Sequence, residues 1–408
     1  MSSYSSHAEH EHAGPGGPEE SSEAHSHGSY SHSHDGHSHE HVHSHEHVHP
    51  SEEASLAFDS KHGLYEHVDE HVDEDEEMEA EPYKGPAERY VTPLDALEDE
   101  GIDAEAEEIR YAGTSGLKVT VVEGLEKLKN LRILVLRSCL VSDCSAIGAN
   151  GATLEHLELY DNQLKSLRGV EACPKLRVLD VSFNVIRSTA QVEICSDLEE
   201  CYVAANKLRS IEGVARLDKL TKLDLGANRI RKIEGLPANV KHLFLGKNRI
   251  ERIENIHHLA GLKVLDVQSN RLEGLGESNG EGEPPSFSDS HATIEELYLA
   301  HNAIGPDLEA AHLAPLAALG TLDLSHNRLT SLEPFAVLHA LEDLWISYNQ
   351  IPNLDAITPI DHLPLSCIYL EHNPCATDPR YVNTLRETFP NLNQVDAVSY
   401  PPLRGGSA

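Results

Sequence analysis

A nine-residue pattern, LxxLxLxxN, recurs from the middle of this 408-residue chain almost to its end. Leu176 to Asn184 carries it in full: Leu176, Leu179 and Val181 hold the apolar places and Asn184 the ninth. The ninth-place Asn returns at Asn162, Asn184, Asn206, Asn228, Asn248, Asn270, Asn302, Asn327, Asn349 and Asn373. Most steps are 22 residues, one is 20, and three are 24, 25 and 32. A further copy, Leu131 to Cys139, has Cys at the ninth place. A unit this short cannot bury an apolar face alone, so the units must stack and share one core.

Within a unit, the LxLxx part is a short strand. Its fourth and sixth residues point inward and its fifth and seventh outward. The Asn amide offers two donors and an acceptor, which suits it to satisfy backbone groups where each strand turns. The remainder, as in Leu208 to Val214, supplies further inward residues but leaves little room for a full helix, so turns or 3₁₀ pieces are expected. This is the signature of leucine-rich repeats. The implied fold class is α/β: a solenoid over 109–373 with a curved parallel sheet on its concave face and a 3₁₀/turn convex side. The irregular first unit, around Leu125, Leu128 and Leu131, caps the open edge.

Residues 1–80 have no apolar period. His, Ser, Glu and Gly dominate, so a disordered tail is expected. Its densest stretch holds His32, His34, His37, His39, His41, His43, His45, His47 and His49. Alternating imidazoles and carboxylates are candidate weak ligands for Zn²⁺, Ni²⁺ or Cu²⁺, but no fixed four-ligand geometry is specified. The bland reading is a solvated spacer. Residues 81–108 continue as an acidic linker, with a short helix expected at Pro93–Asp99; it is either an arm for a basic surface or a solubilising spacer. A Gly/Pro/Ser/Glu-rich insertion at 274–291 is expected to be a flexible loop. After Asn373, Asp378 as N-cap with Pro379 at the first helical position predicts a helical cap over 374–398. Val382, Leu385 and Phe389 share its apolar face. The tail 399–408 is expected to trail off.

The formal charge is −36, which argues against nucleic acid as the main partner. The start, MSSYSSHAEH, is polar and carries no secretory signal, and no apolar run reaches membrane-span length. Seven Cys without a CxxC are read as reduced packing residues, with Cys139, Cys173, Cys195, Cys201 and Cys367 at or near framework positions. No nucleophile elbow, phosphate loop or HExxH is present. No cofactor and no enzyme activity are expected, and function falls to the exposed strand faces.

The fifth residue of each strand forms a column on the concave surface: Glu158, Asp180, Tyr202, Asp224, Phe244, Asp266, Tyr298, Asp323, Trp345 and Tyr369. Every member is acidic or aromatic, in a chain with one Trp and six Phe. Aromatics favour strands in any case, but that does not account for acids filling every other place. With strands about 4.8 Å apart, the column is a solvent-facing stripe on the order of 45 Å long. Aromatic anchors framed by carboxylates suit a protein partner carrying Arg/Lys and apolar pockets. Third-place Glu200, Glu296 and Asp343 add charge beside it.

Several segments resemble the protein phosphatase 1 regulatory subunit 7 family: LYDNQ at 159–163, LDVSFN at 179–184, LFLGKN at 243–248, DVQSNRL at 266–272, ELYLAHN at 296–302, IYLEHNP at 368–374 and the DPRY…FPNLNQVDA cap. The resemblance spans roughly 109–398. It implies a concave surface that binds the catalytic subunit of type-1 Ser/Thr phosphatase, through positions matching Asp180, Tyr202, Asp224, Phe244, Asp323, Asp343, Trp345 and Tyr369. Asp266 and Tyr298 join the site by spacing alone. The resemblance also implies nuclear and cytoplasmic location, a ternary complex with phosphatase inhibitor-3, and a role in maturing or inhibiting the phosphatase. The His-rich tail, Cys139, the 20-residue repeat and the insertion depart from the family. Two rival readings are an adaptor for another complex and a metal-handling protein acting through its tail.

Overall fold

A computed structural model of the chain describes residues 91–93, 105–113, 118–275 and 286–401. All lie within the unit Ala80–Ala408, and the fold is that unit's. The His-rich tail, most of the acidic segment and the centre of the insertion lie outside the described residues.

The strands are β1 (Val91–Pro93), β2 (Glu108–Ala112), β3 (Lys118–Val121), β4 (Ile133–Arg137), β5 (His156–Glu158), β6 (Val178–Asp180), β7 (Glu200–Tyr202) and β8 (Lys222–Asp224). They continue as β9 (His242–Phe244), β10 (Val264–Asp266), β11 (Glu296–Tyr298), β12 (Thr321–Asp323), β13 (Asp343–Trp345), β14 (Cys367–Tyr369), β15 (Gln394–Val395) and β16 (Val398–Ser399). From β4 to β15 each strand pairs in parallel with the next, and β2 lies beside β4. Strands β1 and β3 form a separate parallel pair. Pro93 therefore ends a strand rather than opening the expected helix; residues 94–99 lie outside the described residues. The sheet closes on an antiparallel step, β15 to β16, because only a tight turn separates them.

The first, fourth and sixth places of each unit are sealed. Leu176, Leu179 and Val181 are fully buried, as are their counterparts Leu220, Leu223, Leu341 and Leu344. The convex side runs through short 3₁₀ segments such as Val170–Ala172 and Ala190–Ile194. The 25-residue repeat has room for one α-helical turn, α1 (Ala310–Leu313). Gly213 (φ +74°) turns the chain where a Cβ would come within 2.4 Å of the Thr189 carbonyl. In the following repeats Gly235 (φ +64°) and then Asn255 (φ +58°) take that left-handed place.

The Asn ladder binds rung to rung. Asn206 Oδ1 accepts from Ile186 N–H at 2.9 Å, while its Nδ2 donates to Val181 and Val203 carbonyls at 3.0 and 3.1 Å. Asn228, Asn248, Asn270, Asn302, Asn327, Asn349 and Asn373 repeat the construction. The residue before each rung Asn is left-handed without being glycine, from Phe183 to His372. Beyond the last ladder Asn, Asp396 follows β15 at the place opposite Tyr369 and accepts from Leu370 and Glu371 N–H. At the first, Cys139 sits buried in the Asn place, and the next residue's N–H bonds directly to the Val119 carbonyl.

The closing helix α2 spans Tyr381–Thr388, two residues later than the sequence pattern suggested. Asp378 instead accepts Arg380 N–H at 2.8 Å in the turn before it. Tyr381, Leu385 and Phe389 enter the core. Ser399 and Tyr400 are also structured, in β16 and against the core, so the trailing end starts later than 399. The insertion is shorter than 274–291 as well. Leu275 and Phe287 are buried, and Asp289–His291 form a 3₁₀ turn. His291 accepts Ser288 N–H at Nδ1 and meets the Ile256 carbonyl through Nε2 at 3.0 Å. All seven Cys are buried free thiols, with burial pushing Cys173 up to about 11 and Cys195 to about 12. Among the described residues no helix is long and apolar enough to cross a membrane.

Candidate functional site

Strand register brings the fifth-place residues into one row. Asp180 pairs with Tyr202, Tyr202 with Asp224, Asp224 with Phe244, Phe244 with Asp266, and Asp266 with Tyr298. Tyr298 then pairs with Asp323, Asp323 with Trp345, and Trp345 with Tyr369. Acid and aromatic alternate from Asp180 to Trp345. The row begins with Glu158, which is neutralised by Arg137.

The row is not the freely solvated stripe that the sequence suggests. Asp180 and Asp266 are each 5% exposed, Tyr202 and Tyr298 each 6%, and Asp224, Phe244, Asp323, Trp345 and Tyr369 are half-buried. On a concave sheet neighbouring side chains lean together at strand spacing. The aromatic rings therefore pack over the carboxylates between them. Tyr298 and Trp345 approach to 6.2 Å between centroids across Asp323, and Trp345 meets Tyr369 edge-on at 6.1 Å.

Each Asp also has a local task. Asp180, Asp224, Asp266 and Asp323 each accept, through Oδ1 at 2.9 Å, the N–H two residues on. This holds the turn out of the strand. Burial nonetheless works against their charge. It raises Asp180 above the usual carboxylate range and pushes Asp224 and Asp323 up to about 6 and Asp266 to about 7. Half-buried Asp343 is also raised by burial, though it bonds Ser366. The two tyrosines fold back on their own strands: Tyr202 donates to Glu200 at 2.5 Å and Tyr298 to Glu296 at 2.8 Å. Third-place Glu200 and Glu296 are thus engaged as acceptors.

Sequence reasoning missed the neighbouring seventh-place column. Gly226 and Gly246 lie beside Asp224, Phe244 and Asp266, and a Cβ on Gly246 would come within 2.9 Å of Asp266 Oδ2. Their lack of a side chain leaves the room that the Asp224 and Asp266 carboxylates occupy. It also missed a ring stack at the eighth place. His301, His326, Tyr348 and His372 lie face to face at 4.0 Å between successive centroids, tilted by 12–15°. Three His and a Tyr before four consecutive ladder Asn residues were the available signal. Among the described residues no group of three or more His, Cys, Asp or Glu side chains could hold a metal ion; His32 to His49 lie outside them.

Two family descriptions match: Leucine Rich repeats (2 copies) over residues 318–362, and Leucine Rich repeat over 172–190. Solved structures agree on the fold across most of the chain. An internalin (InlF) of Listeria monocytogenes has a TM-score of 0.60 at 18% identity, covering 71% of this chain and 79% of its own. A repeat protein of Leptospira interrogans has a TM-score of 0.60 at 23% identity, covering 70% and 72%.

The chain folds as a leucine-rich-repeat solenoid.

Among curated relatives, the chain is 37% identical over 114 residues to the Protein phosphatase 1 regulatory inhibitor subunit PPP1R7 homolog of Arabidopsis thaliana, covering 28% of this chain and 31% of that one. It is 34% identical over 84 residues to human Cilia- and flagella-associated protein 410, covering 20% and 33%. It is 43% identical over 75 residues to human Geranylgeranyl transferase type-2 subunit alpha, covering 18% and 12%. The chain spans a third or less of the length of these relatives.

Proposed function

We propose that this protein is a non-catalytic regulatory subunit of type-1 Ser/Thr protein phosphatase. It binds the catalytic subunit along the concave row and governs its activity, assembly or location in the nucleus and cytoplasm. The observation that carries the reading is the alternation of acid and aromatic from Asp180 to Trp345, held in register by the sheet. The similarity to the Arabidopsis regulatory inhibitor subunit supports it. A row of this kind recognises a partner face with Arg or Lys beside apolar pockets: the rings anchor and the carboxylates frame. Asp343 beside Trp345 extends the acidic frame. Phosphatase inhibitor-3 is the proposed third member of the complex.

The test is co-elution of the full chain with the purified phosphatase catalytic subunit on size exclusion, beside a Phe244→Ala/Trp345→Ala control, with activity assayed across the peak. A complex that the control abolishes supports the reading and gives the direction of regulation. A folded chain that elutes alone overturns it and leaves a scaffold for a different partner.

A further inference from the structure

The two edges of the sheet treat their cations differently. Where the strands begin, cations face carboxylates one rung away. Arg132 lies 2.9 Å from Glu155, Arg177 2.9 Å from Glu199, and Lys219 2.6 Å from Asp197. Past the ladder Asn, at the other edge, cations face cations. The residue after the Asn is Lys207, Arg229, Arg249 and Arg271 in four successive repeats. Their backbones are in register: Lys207 N–H donates to Ile186, Arg229 to Leu208, Arg249 to Ile230 and Arg271 to Ile250, all at 2.8–2.9 Å.

Two residues further on, beyond the inward Leu or Ile, a second outward row reads Lys165, Arg187, Arg209 and Arg231 in four successive repeats. The two rows overlap at the repeats that follow Asn206 and Asn228. Lys207 and Arg249 are half-buried and the other six are exposed. Among the described residues, Lys165, Arg187, Lys207, Arg229, Arg231, Arg249 and Arg271 take part in no ion pair.

Like charges in register on neighbouring strands destabilise a sheet; at the opposite edge Lys241 and Lys263 adjoin in the same way, but Lys263 is met by Glu295 at 2.8 Å. Solubility does not call for these cations in a chain of net charge −36. The band is also bounded. Gln163 and Val185 precede Lys207 in the first row, and Glu251 and Glu273 follow Arg231 in the second. At about 4.8 Å per rung, each row is about 15 Å long.

We infer that this band docks a short acidic polypeptide segment of a partner protein, an Asp/Glu-rich stretch of about five extended residues at about 3.3 Å each. A nucleic acid suits it less well. A phosphodiester backbone carries charge along its whole length, so it would overrun the band onto Glu251 and Glu273 and the strongly negative remainder of the chain. An acidic segment with neutral flanks ends where the band ends. The surface is separate from the concave row, and the inference stands independently of the proposed phosphatase partner.

The test titrates the full chain into a short fluorescein-labelled peptide of alternating Asp and Glu and reads anisotropy at two salt concentrations. Saturable binding that weakens with salt is expected. It should fall about tenfold or more in the Arg229→Gln/Arg231→Gln/Arg249→Gln variant, whose melting temperature stays at or above that of the parent. The Arg132→Gln/Arg177→Gln/Lys219→Gln variant removes equal charge from the other edge and should bind as the parent does. No binding, or an equal loss in both variants, overturns the inference. So does tighter binding of a single-stranded oligonucleotide of the same charge.

Discussion

The Tyr298 and Trp345 rings meet at 6.2 Å between centroids although Asp323 stands between them in the sheet. The concave face therefore has a roof as well as a floor: rings close over the carboxylate, while Leu344 and its neighbours seal the core beneath. Trp345→Ala removes roof without opening the core. It is expected to weaken phosphatase binding by about 2 kcal/mol or more. Its stability loss should be well below that of Leu344→Ala, which leaves a cavity and should cost about 3 kcal/mol. Titration calorimetry and urea melts of the two variants check the pair.

Asp266 gives the protein an inverted pH response. Its carboxyl is held at about 7 by burial, against about 3.9 in an unfolded chain. Across that window the native state keeps a proton that the unfolded state has released. The stabilisation is full below about 4 and is lost as pH rises through about 7. Asp266→Asn keeps an acceptor for Gln268 N–H and has no charge to bury. Urea melts should find it more stable than the parent by roughly 4 kcal/mol at pH 8, the gap closing as pH falls toward 4.

Asn228 joins two rungs. Its Oδ1 accepts Leu208 N–H, and its Nδ2 donates to the Val203 and Leu225 carbonyls, all at 3.0 Å. Asn228→Ala strands these buried groups and should cost about 3 kcal/mol. Asn228→Asp retains the acceptor alone and should fall between. Thermal melts order the three chains.

His291 is fixed by Ser288 at Nδ1, by the Ile256 carbonyl at Nε2, and by the Phe287 ring edge-on at 5.8 Å. His291→Leu keeps most of the volume and loses both hydrogen bonds, so about 2 kcal/mol of stability should go. Proteolysis should then begin near Phe287 earlier than in the parent.

Tyr348 is the third ring of the His301–His326–Tyr348–His372 stack and is 45% exposed. Tyr348→Ala should cost about 1 kcal/mol. It should also shift the imidazole proton resonances of His326 and His372, which lose the ring current of their neighbour, while those of His291 stay put.

The Asn spacing made the strands, their order and their register legible, because one residue type must recur wherever the backbone needs an amide on both sides. The membership of the acid–aromatic row followed from the same count. Its burial did not: period-2 alternation says which face Tyr202 and Asp266 take, but not that a curved sheet presses neighbours over one another. The antiparallel step at Val398 was hidden because two-residue strands carry no periodicity. Phe287 and His291 stand in Gly/Pro-rich surroundings, a loop signal that outweighs two inward side chains. Asp378 and Pro379 point to a start of α2 two residues early, because they serve the preceding turn.

The units between ladder Asn residues run from 20 to 32 residues, yet every rung bonds to the last with the same few atoms. In the 25-residue repeat the extra length is absorbed on the outer side, where α1 lies between β11 and β12 without disturbing the inner face. Evolution can lengthen, shorten or decorate the back of this protein while the row from Asp180 to Tyr369 keeps its spacing. A protein engineer could likewise graft a tag between Leu275 and Ser286 and leave the inner face as it is.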